Sequence, residues 1–439
     1  MTATKRSHII LAASVAMGGF ASAATENFDD RRPGPLPSEW QCINAGGYEG
    51  GERIAGDFEI DLYGEEAASK LRGPQKTDVR IVAVADAPSK GNVLQISAER
   101  TALYCVKSSV KIRDGYVEVQ GKAGAAKKHR YHKNPEEASW GVIWRYQDSR
   151  NFYCVIPDGS NLKMFRMLNG VMEKIENSPK VTIPSGKWNT IRVEFTAGTF
   201  KVFLNGSQIY FQGDREIQAA GAIGVVVEGD SFTQFDNLNY GAFAKSGFED
   251  FEAMQLGPPS APWRYGNTPD VARPEYPLGT SDWQIARLRH PRNNVLRHTA
   301  NGCQLYCVKS DVKVRNGYVE VDTRTRAGEF EQAMGLIWRF QDEQNYYMVR
   351  ANSSEQEVTL FKFVDGARKS IEKSRHMTIP MNKWHMLRAE FVDGTIKIIL
   401  DGYPVFTATD KTFPNAGAVG VWTKNDSYVE FDNLSWGEE

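Results

Sequence analysis

Apolar and polar residues alternate along this chain in short runs. Val117-Glu-Val119, Ile191-Arg-Val-Glu-Phe195 and Leu387-Arg-Ala-Glu-Phe391 change face at every step. A period of two marks a strand with one buried face. Gly, Asn, Asp and Pro break up the runs, which recur about every ten residues. Asn205-Gly206 and Asp401-Gly402 fall between two runs, where a tight hairpin needs residues that tolerate positive φ. Asp114-Gly115 and Asn316-Gly317 enter strands in the same way. No segment keeps a long helical period. The pattern predicts an all-β protein built of sandwiched sheets.

The pattern also occurs twice. Gly141-Val-Ile-Trp-Arg-Tyr-Gln-Asp-Ser-Arg-Asn-Phe-Tyr-Cys-Val-Ile156 has its twin in Gly335-Leu-Ile-Trp-Arg-Phe-Gln-Asp-Glu-Gln-Asn-Tyr-Tyr-Met-Val-Arg350. Leu103 to Val119 matches Leu305 to Val321, and Phe235-Asp-Asn-Leu238 matches Phe431-Asp-Asn-Leu434. The chain is therefore an internal duplication. The predicted parts are a leader over residues 1–23, one domain over 24–242 and a second over 246–439. The first domain holds an extra surface excursion at about 46–76. At about 190–220 residues, each copy is too long for a seven-strand immunoglobulin-like unit and suits a larger two-sheet jelly roll.

Composition adds limits. The chain has 439 residues and a formal net charge of -1, so no basic field calls for nucleic acid. Lys5 and Arg6, the apolar run from Ile9 to Phe20, and Ala21-Ser-Ala23 read as a secretory signal with cleavage after Ala23. No later apolar run is long enough for a membrane span, so a secreted or periplasmic protein is expected. Of the five cysteines, Cys42, Cys105, Cys154, Cys303 and Cys307, at least one must stay outside a disulfide within the chain. Cys105 and Cys307 share a repeat position, and buried free thiols are the plain reading. The basic stretch from Lys122 to Glu137 reads as a solvated loop.

Trp338 to Asn352, Val421-Trp-Thr-Lys-Asn-Asp-Ser427 and Phe431 to Leu434 resemble the LamG-like, concanavalin A-like jelly-roll domains of bacterial exported proteins. The relatives in view lie near the 3-keto-disaccharide hydrolase domains. The resemblance covers nearly all of the second copy and, more weakly, the first. It implies two tandem concanavalin A-like jelly rolls with a carbohydrate-linked role outside the cytoplasm. The Glu-x-Asp-x-Glu or Glu-x-Asp-x-x-Glu strand of the retaining glucanases on this fold is missing. So are a Gly-x-Ser-x-Gly elbow, a His-Glu-x-x-His helix and a phosphate loop.

The copies differ on one strand face. Tyr346, Met348, Arg350 and Asn352 share a face, and Tyr347, Val349 and Ala351 take the opposite, core-facing side. In the first copy the matching face is Phe152, Cys154 and Ile156, which offers a sugar no hydrogen bond. A longer turn in the second copy adds Glu355 and Glu357, and Lys424 and Asp426 follow later. Tyr346, Arg350, Asn352, Glu355, Lys424 and Asp426 are the expected ligand set, for a glycan or polysaccharide. The alternatives are a hydrolase or lyase using Glu355, Glu357 or Asp426 as acid or base, and a structural or adhesion protein of the envelope. Asp29 with Asp236, and Glu252 with Asp432, stand on first and last strands, where jelly rolls of this type hold a structural Ca²⁺ with carboxylate and backbone oxygens. Framework residues kept in both copies are Arg145 and Arg339, expected to meet a nearby acid, and Trp188 and Trp384.

Overall fold

In this computed structural model the described residues are 20–45, 48–49, 52–53, 76–99, 102–124, 140–158, 161–177, 180–228, 231–243, 246–269, 279, 281–289 and 292–438. Most of the predicted leader, the excursion and the basic loop lie outside them. Among the described residues there is no helix, and all strand pairs are antiparallel. The described residues form four large sheets, of nine, seven, eight and seven strands. Strands up to Phe243 make the first two, and strands from Gly247 make the others.

The two halves repeat one strand order. In the first, the larger sheet runs from Ser207–Gly213 through Thr199–Leu204, Asn189–Thr196, Gly115–Ala123, Ser231–Phe243 and Asn92–Glu99 to Lys76–Ala83. In the second, the order is Tyr403–Thr409, Thr395–Leu400, His385–Val392, Gly317–Ala327, Tyr428–Glu438, Asn293–His298 and Trp283–Leu288. The seven-stranded sheets correspond strand for strand as well. These are two tandem jelly-roll sandwiches of the concanavalin A-like kind.

Alternation decides what each sheet buries. Tyr347, Val349 and Ala351 enter the second sandwich core with Trp338, Phe391 and Val421, as expected. The Trp338 ring stacks on Tyr347 and Phe391 at 5.7 and 5.6 Å. Trp144 plays the same part against Tyr153 and Phe195 in the first sandwich. The hairpin dipeptides take the φ they were chosen for: Asn205 and Gly206 at 50° and 80°, Asp401 and Gly402 at 52° and 83°.

The repeated Trp-Arg-aromatic-Gln-Asp-x-x-Asn string is a bulge followed by a turn. Arg145 and Arg339 both sit at φ 49°, where the strand register slips. Each guanidinium turns inward and donates to backbone carbonyls, Arg145 to Arg113 and Ile217, Arg339 to Arg315 and Phe413. Arg145 also meets Asp114, but Arg339 has Asn316 there and no acid. The turn acids instead accept turn N–H groups, Asp148 from Arg150 and Asp342 from Gln344. The expected acid partner is thus right for Arg145 alone.

A disulfide joins Cys42 and Cys105, paired across adjacent strands of the first sandwich. Tyr265 holds the Cys42 position opposite Cys307, so the second sandwich has no such bridge. Cys154 and Cys307 are buried thiols, and burial pushes both pKa values well up.

The larger sheets of the two sandwiches meet through ions. Arg215 reaches Glu320 and Asp322, Lys201 reaches Glu390 at 2.9 Å, and Arg388 donates to Thr196 at 3.2 Å. Arg388 is 1% exposed and Glu320 0%, so this is a desolvated, hydrogen-bonded seam rather than a surface contact.

Candidate functional site on the second sandwich

The predicted ligand residues lie on the outer face of the second seven-stranded sheet. Register places Arg350 between Gly335 and Thr359, and Asn352 between Ala333 and Glu357. Gly335 is needed here because a Cβ would sit 2.6 Å from the Val349 carbonyl oxygen, with the Trp422 ring 3.3 Å away. One end of this face is apolar. Tyr346 and Met348 join Ile337, Phe361, Phe363 and Trp422 in a second buried layer outside the sandwich core. Tyr346 is fully covered, its ring stacked on Phe363 at 4.5 Å and its hydroxyl 2.7 Å from Thr268. The expectation that its ring meets a ligand is corrected: a face turned from the core has its own aromatic layer, and Tyr346 belongs to it.

The other end is a polar network centred on Glu331, which sequence reasoning did not single out. Lys424 Nζ lies 2.5 Å from Glu331 Oε1, and Asn352 Nδ2 donates to Oε2 at 3.0 Å. Arg350 stands 3.8 Å from the same carboxylate, bonds Glu357 at 3.0 Å and pairs closely with Glu355. Lys373 closes on Glu357 from the next strand. Three cations thus face three carboxylates, and the patch is locally near neutral. Asn352 is fully buried and works through Glu331 and through the turn it caps by accepting from Ser354 N. Arg350 is 5% exposed; the reachable members are Glu355 and Lys373.

Asp426 has a different job. Its carboxylate accepts from the N–H groups of Glu329, Phe330 and Glu331 at 2.6, 3.1 and 3.0 Å. Burial raises its pKa, but these amides outweigh that and hold it below the usual range. Asp426 therefore clamps the loop and presents Phe330, whose side chain is 74% exposed, beside Glu331. An aromatic between two acids in a loop before a strand was the available sequence signal, hidden by the prior that aromatics pack inside.

The two nearby carboxylates are driven apart. Burial, with Glu357 and Glu331 close by, raises Glu355 against the pull of Arg350. Burial also pushes Glu357 upward, but bonds with Lys373, Glu355 and Thr359 prevail and lower it. In the first sandwich the matching face is apolar: Phe152, Cys154, Ile156 and Val226 are all buried with Tyr104 and Met167.

The four expected metal residues form two separate acid pairs. Ser89 bridges the first, its Oγ donating to Asp29 and its N–H to Asp236. Asn293 and Asn294 bridge the second, donating to Asp432 and Glu252 at 2.6 Å each. Phe28 and Phe251, buried at φ 63° and 60°, turn the chain so that Asp29 and Glu252 face those hairpins. Among the described residues, no three His, Cys, Asp or Glu side chains gather as a metal cage. A Ca²⁺ here would rest on two carboxylates and backbone oxygens, each carboxylate already taking a neutral donor.

No curated protein matches the chain in sequence. Among solved structures, the carbohydrate-binding module CBM66 from Bacillus subtilis is 24% identical, covering 36% of this chain and 94% of its own, with a TM-score of 0.31. The Bacillus licheniformis beta-glucanase is 11% identical, covering 44% and 98%, with a TM-score of 0.32. A Bacillus subtilis protein with a galectin-like fold is 10% identical, covering 44% and 98%, with a TM-score of 0.31. The family model of the 3-keto-alpha-glucoside-1,2-lyase-like domain matches residues 99–240, in the first copy rather than the second, from which the resembling strings were drawn. The described residues form two tandem concanavalin A-like jelly rolls, and residues 99–240, in the first, match the model of the 3-keto-alpha-glucoside-1,2-lyase-like domain.

Proposed function

We propose that this is an exported carbohydrate-binding protein whose ligand face lies on the second sandwich. The observation that carries the reading is Phe330, an exposed ring on a loop clamped by Asp426, beside the Glu331–Arg350–Lys424 network. A sugar has an apolar ring face and a rim of hydroxyls. An aromatic platform takes the first, and a near-neutral set of fixed donors and acceptors takes the second. The balance of three cations against three carboxylates favours a neutral ligand over an ion. The kinship of the first copy with glycoside-acting domains supports glucosides as the class to test.

Two features support export. The Cys42–Cys105 bridge suits an oxidising compartment. Ala24, Thr25 and Glu26 pair with Tyr240, Asn239 and Leu238, as Gly247, Phe248 and Glu249 pair with Trp436, Ser435 and Leu434. The strand itself begins at Phe20, and cleavage after Ala23 would shorten it to the three residues that the second sandwich has.

A glycoside hydrolase or lyase is the second reading, favoured by the two carboxylates Glu355 and Glu357 meeting at Arg350, since such catalysis uses one acid and one base from a pair. Glycan binding by the mature chain, measured together with release of reducing sugar, separates the two. Binding that Phe330→Ala weakens, with no release, supports the first. Release that Glu355→Gln stops supports the second.

A further inference from the structure

The seam between the sandwiches opens into a cleft of about 500 Å³. Arg215, from the first sandwich, lines it with Asn293, Asp322, Arg324, Trp384 and Asp432 of the second. Asp322 and Asp432 are opposite one another in the register of Gly317–Ala327 and Tyr428–Glu438. Each carboxylate is anchored: Asp432 accepts from Asn293 at 2.6 Å and from Asn433 N at 2.7 Å, and Asp322 accepts from Asn433 Nδ2 at 2.9 Å. Arg215 lies 2.6 Å from Asp322. Trp384 forms the apolar wall, with the Arg324 guanidinium 4.4 Å from its ring centre and held by Glu430 at 2.6 Å.

The first sandwich shows what such a wall holds when it is filled. There Lys122 stands over Trp188 at 5.1 Å, as Arg324 stands over Trp384. The hairpin between Lys76–Ala83 and Asn92–Glu99 folds onto it. Trp188 Nε1 donates to the Asp86 carbonyl at 2.8 Å, and Lys122 takes the Asp86 carboxylate at 2.7 Å. The Ser89 N–H fills the place beside Asp236. The corresponding hairpin of the second sandwich is shorter by two residues, Ile285 to Leu296 against Ile81 to Leu94. Among the described residues nothing bonds Trp384 Nε1. The first copy is thus closed by its own chain, with oxygen acceptors on the tryptophan and on the neighbouring cation.

We infer that the cleft between the sandwiches is a second saccharide site, in which Trp384 receives the sugar ring and Asp322, Asp432 and Asn293 receive its hydroxyls. The inference rests on the carbohydrate reading above and adds a location independent of Phe330. Paired carboxylates and an amide hold vicinal hydroxyls, and an indole next to them takes the ring face and donates from Nε1. Arg215 makes the site a property of both sandwiches together.

The test is calorimetric titration of the mature full-length chain with four glucosyl disaccharides, maltose, cellobiose, trehalose and sucrose. Two sites per chain are expected. Trp384→Ala and, separately, Asn293→Ala should each weaken one of them by about tenfold or more, and Phe330→Ala should remove the other. Thermal unfolding confirms that each variant is folded. A single site that vanishes with Phe330→Ala and ignores Trp384→Ala and Asn293→Ala overturns the cleft and leaves the carbohydrate reading standing. No binding of any of the four by the wild-type chain overturns both.

Discussion

Replacing Asp432 by Asn should reverse sign with pH. The Asp432 carboxyl is 5% exposed, and burial, with Asp322 and Asp250 nearby, raises its pKa to about 7 against the bonds from Asn293 and Asn433. An unfolded Asp titrates at about 3.9. Between these values the folded chain holds a proton that the unfolded chain gives up, so stability falls as pH rises through the window. The shift of about three units corresponds to about 4 kcal/mol lost above pH 8. Asn carries no charge and escapes that loss. Its amide accepts at only one atom, however, where the carboxylate takes both Asn293 Nδ2 and Asn433 N. That costs about 1 kcal/mol. The variant should therefore be slightly less stable at pH 4, cross the wild type near about pH 5, and exceed it by about 3 kcal/mol at pH 8. Urea unfolding of both proteins across this range measures the difference directly, with other titrating groups cancelling. Parallel stability curves would refute the argument that Asp432 is buried with a raised pKa.

Three further outcomes follow from particular contacts. Reducing the Cys42–Cys105 bridge, which closes a separation of 63 residues, should cost about 4 kcal/mol on the loop-entropy account; an unchanged melting temperature in dithiothreitol counts against the bridge. Arg350→Ala should abolish glycan binding at the site beside Phe330, and because it strands Glu331, Glu355 and Glu357 it should also cost about 2–3 kcal/mol. Ile156→Ala, also buried, should cost a similar amount of stability and leave binding unchanged; equal binding loss in both variants removes the asymmetry between the copies. The proposed structural Ca²⁺ at Asp29/Asp236 and Glu252/Asp432 should make EDTA lower the melting temperature, and no shift would withdraw it; the Asp432 comparison above is made in EDTA, because a bound Ca²⁺ would hold that carboxylate ionised.

The strands were legible because alternation is a local property. Ile191–Phe195 and Leu387–Phe391 declare their buried faces residue by residue, and the second copy of each string confirms the first. The face carrying Arg350 was legible for the same reason. Period two does not say whether an outer face is wet, so Tyr346 was misplaced: its burial depends on Phe363 and Thr268, distant in the chain. Glu331 and Phe330 were missed because Asp426 fixes their loop from about a hundred residues away. Trp384 looked like framework because Trp188 matches it; only the shorter hairpin and the meeting of two sheets give it a cleft to line. Arg339 lacks the acid its twin has, a difference set by Asn316 in place of Asp114.

The central claim is that the second sandwich binds carbohydrate through Phe330 and the network beside it. A glycan array probed with the mature chain and with Phe330→Ala tests it most directly, since a ring 74% exposed is removable without disturbing the core. The account predicts that the wild-type chain binds glucosides on the array and that Phe330→Ala binds them at least about tenfold more weakly. An array on which the wild-type chain binds nothing, or on which both proteins bind alike, would contradict it.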